Sequence, residues 1–336
     1  MTRHLAALAL TLGAMLAHAE PPELNLYSAR HYRSDEALYA DFTRRTGIRI
    51  NRIEGREQEL LERIVNEGEN SPADVFITVD AARLAQAEAY GVFAPLDSAH
   101  LVERIPAHLR SGAWAAFSVR ARVIVYNRRA LTAADVPRYE SLADPKLKGK
   151  VCSRSGAHPY NLTLVAALIA HNGEAATEAW ARGVVANFAR PPRGGDLDQI
   201  KAVATGECAV AVSNSYYLAR LMAAERVEER NLVKRLGIVW PNQDGYGTHI
   251  NVSGGGVLKH SKHPAAARAF LDYLASDDAQ RYFANANNEW PAVPGVSVDN
   301  PDLDAMGRFR ADTLPLGSIA SHLVAAQKLL DRAGYR

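Results

Sequence analysis

The chain has 336 residues, long enough for two domains of ordinary size, each with its own core. Its 39 Lys+Arg against 37 Asp+Glu leave a formal net charge of +2 with no long block of like charge, which argues against nucleic acid as a main partner. Two cysteines, Cys152 and Cys208, exclude a disulfide-dense scaffold.

Arg3 and His4 precede an apolar run from Leu5 to Ala17, and the run closes on Ala17-His18-Ala19. A basic start, a short apolar segment and an Ala-x-Ala end are the parts of a secretory signal peptide. The run is shorter than the roughly 20 apolar residues that span a bilayer. Residues 1–19 are therefore expected to be a leader, with the mature chain starting near Glu20 outside the cytoplasm. In an oxidising compartment the two cysteines suggest one disulfide, two separate buried thiols being the alternative.

Leu24 to Tyr27 alternates as a strand does, and Ser34 is a candidate cap for a helix with Asp35 and Glu36 in its first turn and Leu38 and Phe42 on one face. Gly47 ends that helix, and Ile48-Arg49-Ile50 resumes strand alternation. Leu60, Leu61, Ile64 and Val65 mark a second helix. Asp74 to Val79 then reads as a strand buried on both faces. Strand pattern returns over Ala115–Ser118 and Val119–Tyr126. A second series follows, with a strand over Lys150–Ser153, helices over about Asn161–Asn172 and Glu174–Asn187, and a strand over Cys208–Ser213. Gly247–Val257 reads as a further strand, and Pro264–Leu274 and Asp277–Phe283 as helices. This order is α/β winding in two lobes.

No zinc-protease helix motif, nucleophile elbow, phosphate loop or dinucleotide fingerprint is present. Gly254-Gly255-Gly256 follows strand pattern without a phosphate-loop lysine, and a tight backbone crossing is its expected role. The histidines show no zinc-ligand spacing beside a cysteine. Tyrosine is more informative. An adjacent pair such as Tyr216-Tyr217 arises easily by chance, but its station does not: the pair follows a strand and opens a helix. Tyr32 follows the first strand, and Tyr160 precedes the helix near Asn161. In wound sheets, ligands bind outside the carboxyl ends of strands, where all four of these tyrosines are expected.

Tyr27-Ser28-Ala29-Arg30-His31-Tyr32, Val151-Cys152-Ser153-Arg154-Ser155 leading to Pro159-Tyr160-Asn161, the segment Gly206 to Tyr217, and His249 to Gly256 occur in the order of the periplasmic ferric-iron-binding proteins of ABC importers, which the mature chain resembles throughout. The resemblance implies a clamshell of two doubly wound α/β lobes joined by hinge strands. The first lobe would take 20–123 plus 248–297 and the second 124–247 plus 298–336. It implies Tyr32, Tyr160, Tyr216 and Tyr217 as iron ligands and His31 as an additional or alternate one. It also implies a Cys152–Cys208 bridge, as in one branch of the family. Arg30, Arg154 and Arg190 lie near the motifs and are candidates to offset the charge of the phenolates or hold a companion anion such as carbonate. Gly195 stands where a polar side chain is expected, which weakens any anion contact from that loop.

The chemistry is coherent. A free phenol has a pKa of about 10 and is neutral at pH 7, but a trivalent cation lowers the pKa of the groups that bind it, and hard cations favour oxygen donors. Helix starts are expected to favour the phenolates further. The implied function is that of a monomeric periplasmic binding protein, not an enzyme, delivering Fe3+ to an inner-membrane permease. Two other readings stay open at this point: a clamshell for an anionic or organic solute such as a phosphonate, sulfate or polyamine, and a secreted oxidoreductase with tyrosine-bound iron.

Overall fold

A computed structural model describes residues 22–30 and 32–336; the leader over 1–19 and His31 lie outside the described residues. The strands are β1 (Glu23–Ser28), β2 (Arg49–Glu54), β3 (Val75–Thr78), β4 (Ala115–Asn127), β5 (Val151–Cys152), β6 (Val210–Asn214), β7 (Leu236–Val239), β8 (Ile250–Val257) and β9 (Trp290–Pro291). Their order is β2-β1-β3-β8-β4-β6-β5, with β7 and β9 also on β4. Among the described residues no helix is long and apolar enough to cross a membrane.

β4 is the element the two lobes share. All 13 of its residues are buried, although the sequence pattern suggests two strands, because its first half pairs with β8 from Ala115 to Ala121 and its second half with β6 from Arg122 to Tyr126. The first lobe is built on β2, β1 and β3, mutually parallel, with β8 antiparallel to β3. The second is built on β5 parallel to β6, with β6 and β7 antiparallel to β4. The glycine triplet lets β8 fit between its neighbours. A Cβ at Gly254, Gly255 or Gly256 would stand 2.5 Å from the carbonyl oxygen of Ala115, Phe76 or Ala113 respectively, so any side chain there would force the strands apart.

Several boundaries differ from the sequence expectation for identifiable reasons. Ser34 already has helical backbone and makes no capping bond to the helix Asp35–Thr46; its hydroxyl bonds Asn287 instead. The helix expected from Asn161 begins at Pro159, whose fixed φ suits a first helical position. That puts Tyr160 inside the first turn and not in the loop before it. β6 starts at Val210, not Cys208, because the backbone N–H groups of Gly206 and Glu207 fold back onto the Ala202 carbonyl and finish the preceding helix Asp196–Thr205.

Cys152 ends β5, Cys208 precedes β6, and the two form a disulfide with Cα atoms 5.8 Å apart across 56 residues. The bridge ties the two parallel strands that lead to Tyr160 and to the Tyr216-Tyr217 pair. Closing a loop of this length stabilises by about 4 kcal/mol on the chain-entropy model. A Cys152→Ser/Cys208→Ser variant should therefore lose about 2–4 kcal/mol in a denaturant titration. A midpoint equal to that of the oxidised parent would show that the bridge constrains nothing.

Candidate metal centre

Each tyrosine is delivered by a strand end. Tyr32 sits in the loop after β1. Tyr160 is the second residue of the helix Pro159–Asn172. Tyr216 and Tyr217 open the helix Ser215–Met222 directly after β6. The structure brings all four into one cluster. The Tyr216 and Tyr217 rings are 4.2 Å apart. The Arg220 guanidinium lies 5.0 Å from the Tyr216 ring and 5.2 Å from the Tyr32 ring, bridging the second lobe to the first. Tyr160 packs edge-on against His158 at 4.6 Å, and its backbone N–H donates to His158 Nδ1 at 3.2 Å, which caps the helix. Tyr216 is only 3% exposed, whereas the other three are half-buried.

Burial controls the protonation of these phenols. It pushes the Tyr32 hydroxyl above its ordinary range, and the nearby Glu289 carboxylate pushes the same way against Arg120 and Arg30. It raises Tyr160 too, against the pull of Arg120. It raises Tyr216 well above the ordinary phenol, and the charges that Tyr32, Tyr160 and Tyr217 would carry add to that rise. Helix starts were expected to favour the phenolates; desolvation outweighs them. Burial thus holds Tyr32, Tyr160 and Tyr216 as neutral phenols, and a strongly charged cation is what would reverse the balance.

Beneath the phenols lies a buried ionic network that sequence reasoning did not find. Arg120, fully buried on β4, reaches Glu289 at 2.9 Å, Ser253 Oγ at 2.9 Å and the Val252 carbonyl at 2.9 Å. Glu289 also accepts from Ser118 Oγ at 2.8 Å and pairs with Arg30 at 3.1 Å. Asn288 takes the left-handed conformation at φ 58° that ends the helix Asp277–Asn287 and turns Glu289 inward. Of the candidate arginines, Arg30 is buried against Asp35 at 2.8 Å, with its guanidinium 4.7 Å from the Tyr32 ring. Arg154 pairs with Asp196 at 2.9 Å and lies 5.1 Å from the Tyr160 ring. Arg190 is elsewhere, held by Glu207 at 2.8 Å and Gln199 at 3.1 Å. Gly195 offers no side chain, and its N–H is taken by Asp198 at 2.7 Å. Two arginines spaced two apart in a largely apolar strand, Arg120 and Arg122 in β4, were the available signal for this network.

Among the described residues no three His, Cys, Asp or Glu side chains are placed to share a metal ion. The tyrosine cluster is an oxygen-rich candidate station for a hard cation.

Comparison with known proteins shows the family and the fold. Residues 70–310 match the family described as Bacterial extracellular solute-binding protein. Iron uptake protein A1 of Synechocystis sp. is 46% identical over 319 residues, spanning 94% of this chain and 88% of that protein. The Fe(3+)-binding periplasmic protein of Serratia marcescens is 32% identical over 329 residues, 97% of this chain and 94% of that one. Among solved structures, Trichodesmium FutA in complex with iron and citrate ligands matches with a TM-score of 0.90 at 46% identity, covering 94% of this chain and 100% of that one.

Burial works against the charge of Glu289, but Arg30 and Arg120 overcome it and hold the carboxyl below its usual range. A depressed carboxylate contributes stability above its unfolded pKa, about 4.3, that is lost as pH falls through the folded value. Glu289→Gln, which strands the buried Arg120 guanidinium and leaves Arg30 with Asp35 alone, should cost about 3–5 kcal/mol at pH 7. It should also flatten the acid limb of the stability–pH curve. Denaturant titrations from neutral pH downward check both, and an unchanged acid limb would contradict the assignment.

Proposed function

The chain belongs to the bacterial extracellular solute-binding proteins, and on that premise we propose that it captures ferric iron between its lobes and delivers it to the membrane permease of an ABC importer. The lobes in this reading are 20–123 with 248–297 and 124–247 with 298–336, hinged on β4 and on the chain entering β8. Tyr32, Tyr160, Tyr216 and Tyr217 are the ligands, and His31 is an additional or alternate one. Residues 1–19 direct the chain to the periplasm, where it acts as a monomer and catalyses no reaction.

The observation that supports the reading most directly is the convergence of four phenols from three strand ends on one partly buried cluster. Four phenolates around a 3+ ion leave one formal negative charge. Arg120 faces Tyr32, Tyr160 and Tyr216 and offsets it. A companion anion such as carbonate would meet Arg220, exposed between the Tyr32 and Tyr216 rings, since Arg30 and Arg154 are already committed to Asp35, Glu289 and Asp196. Each ligand gives up a proton on binding, so acid weakens the site. Reduction to a 2+ ion stabilises phenolates less and favours release.

Titration of the metal-free protein with ferric ion supplied as a weak chelate should give a red-to-purple phenolate-to-iron charge-transfer band. Tyr216→Phe should weaken or bleach the band, and lowering the pH from about 8 to about 5 should reduce it as the phenols regain their protons. A colourless protein with no iron-dependent thermal shift would favour an anionic or organic solute instead.

A further inference from the structure

Tyr160 and the Tyr216-Tyr217 pair hang from different elements, yet one buried ion pair touches the approach to both. Arg122, on β4 and 1% exposed, donates through Nη1 to Asp196 Oδ2 at 2.6 Å and to Asn214 Oδ1 at 3.3 Å, and through Nη2 to Asn161 Oδ1 at 2.9 Å. Asn161 is the neighbour of Tyr160. Asn214 immediately precedes the helix that carries Tyr216 and Tyr217, and its side chain turns to Arg122 without making a capping bond. Asp196, fully buried, closes the circuit: Oδ2 accepts the Asn214 backbone N–H at 2.7 Å and Oδ1 accepts from Arg154 at 2.9 Å. Arg154 in turn stacks near the Tyr160 ring. Asn161 also donates to the Arg154 and Ser155 carbonyls at 3.2 and 3.0 Å, which fixes the loop that delivers Tyr160.

We propose that Arg122 and Asp196 are positioning residues that set the distance between Tyr160 and the Tyr216-Tyr217 pair, and so govern metal affinity without touching the metal. This rests on the ferric reading above. A buried ion pair is weak evidence of stability, because well-packed apolar side chains often do as well in its place. What an apolar pair could not supply is direction. The planar guanidinium fork holds two amide side chains at fixed angles, and each amide belongs to a segment that carries a tyrosine. A metal site needs its donors held to within about 0.5 Å. The two segments are also tied by the short β5–β6 pairing and by the Cys152–Cys208 disulfide.

The test compares Asp196→Asn and Arg122→Lys with the parent by ferric titration, charge-transfer spectrum and thermal melt. In variants that melt cooperatively, ferric affinity should fall by about 10–100-fold, the range for residues that orient metal ligands, and the band maximum should move. In a Tyr160→Phe background, Asp196→Asn should cost distinctly less, since the side chain it positions is gone. Should Asp196→Asn fail to fold, Arg122→Lys, which keeps the charge, and Asn161→Ala, which removes none, carry the same readouts. A folded variant with parental affinity and an unmoved band overturns the positioning role. A parent that never colours overturns the ferric reading itself, so the two failures are distinguishable.

Discussion

A phenol taken out of water keeps its proton, and several phenols crowded together keep theirs more firmly still, because each charge formed opposes the next. The cluster of Tyr32, Tyr160, Tyr216 and Tyr217 is built under that constraint. It favours neutral phenols and makes the cluster discriminate by charge. A monovalent or weakly charged cation cannot offset the cost of ionising buried phenols, whereas a small trivalent ion can. Arg120 lowers that cost for three of the four, and Glu289 keeps Arg120 from being an uncompensated buried charge.

The fold serves this constraint by geometry. Parallel strands aim their carboxyl ends at the cleft, so loops and helix starts from separate parts of the chain meet there. β4 runs through both halves of the arrangement and carries Arg120 and Arg122, and its neighbour β8 carries Ser253, which places the ionic network under the phenols and not beside them. The glycine triplet in β8 is what allows those strands to approach so closely.

Much of this was legible in the sequence. The α/β order, the shared station of the four tyrosines and the cysteine pair follow from patterns local to each segment. The charged network was not legible, because Arg120 and Glu289 are 169 residues apart and Arg122 and Asp196 are 74 apart. Nothing local says which arginine finds which carboxylate. Arg190, equally close to a motif in sequence, turned to Glu207 instead. Ser34 had the right identity and position for a cap, and lost that role to a long-range bond with Asn287. The neutrality of the phenols at pH 7 was legible from their ordinary pKa, whereas the further rise caused by desolvation was not, because helix-end polarity is visible in a sequence and burial is not.

The central claim is that a bound ferric ion is held by ionised tyrosine oxygens of this cluster. Resonance Raman spectroscopy of the iron-loaded protein, excited within its visible band, tests it most directly. The account requires strong tyrosinate ring modes that diminish when each of Tyr32, Tyr160, Tyr216 and Tyr217 is replaced in turn by phenylalanine. Iron bound with no tyrosinate modes, or with modes indifferent to all four substitutions, would contradict it.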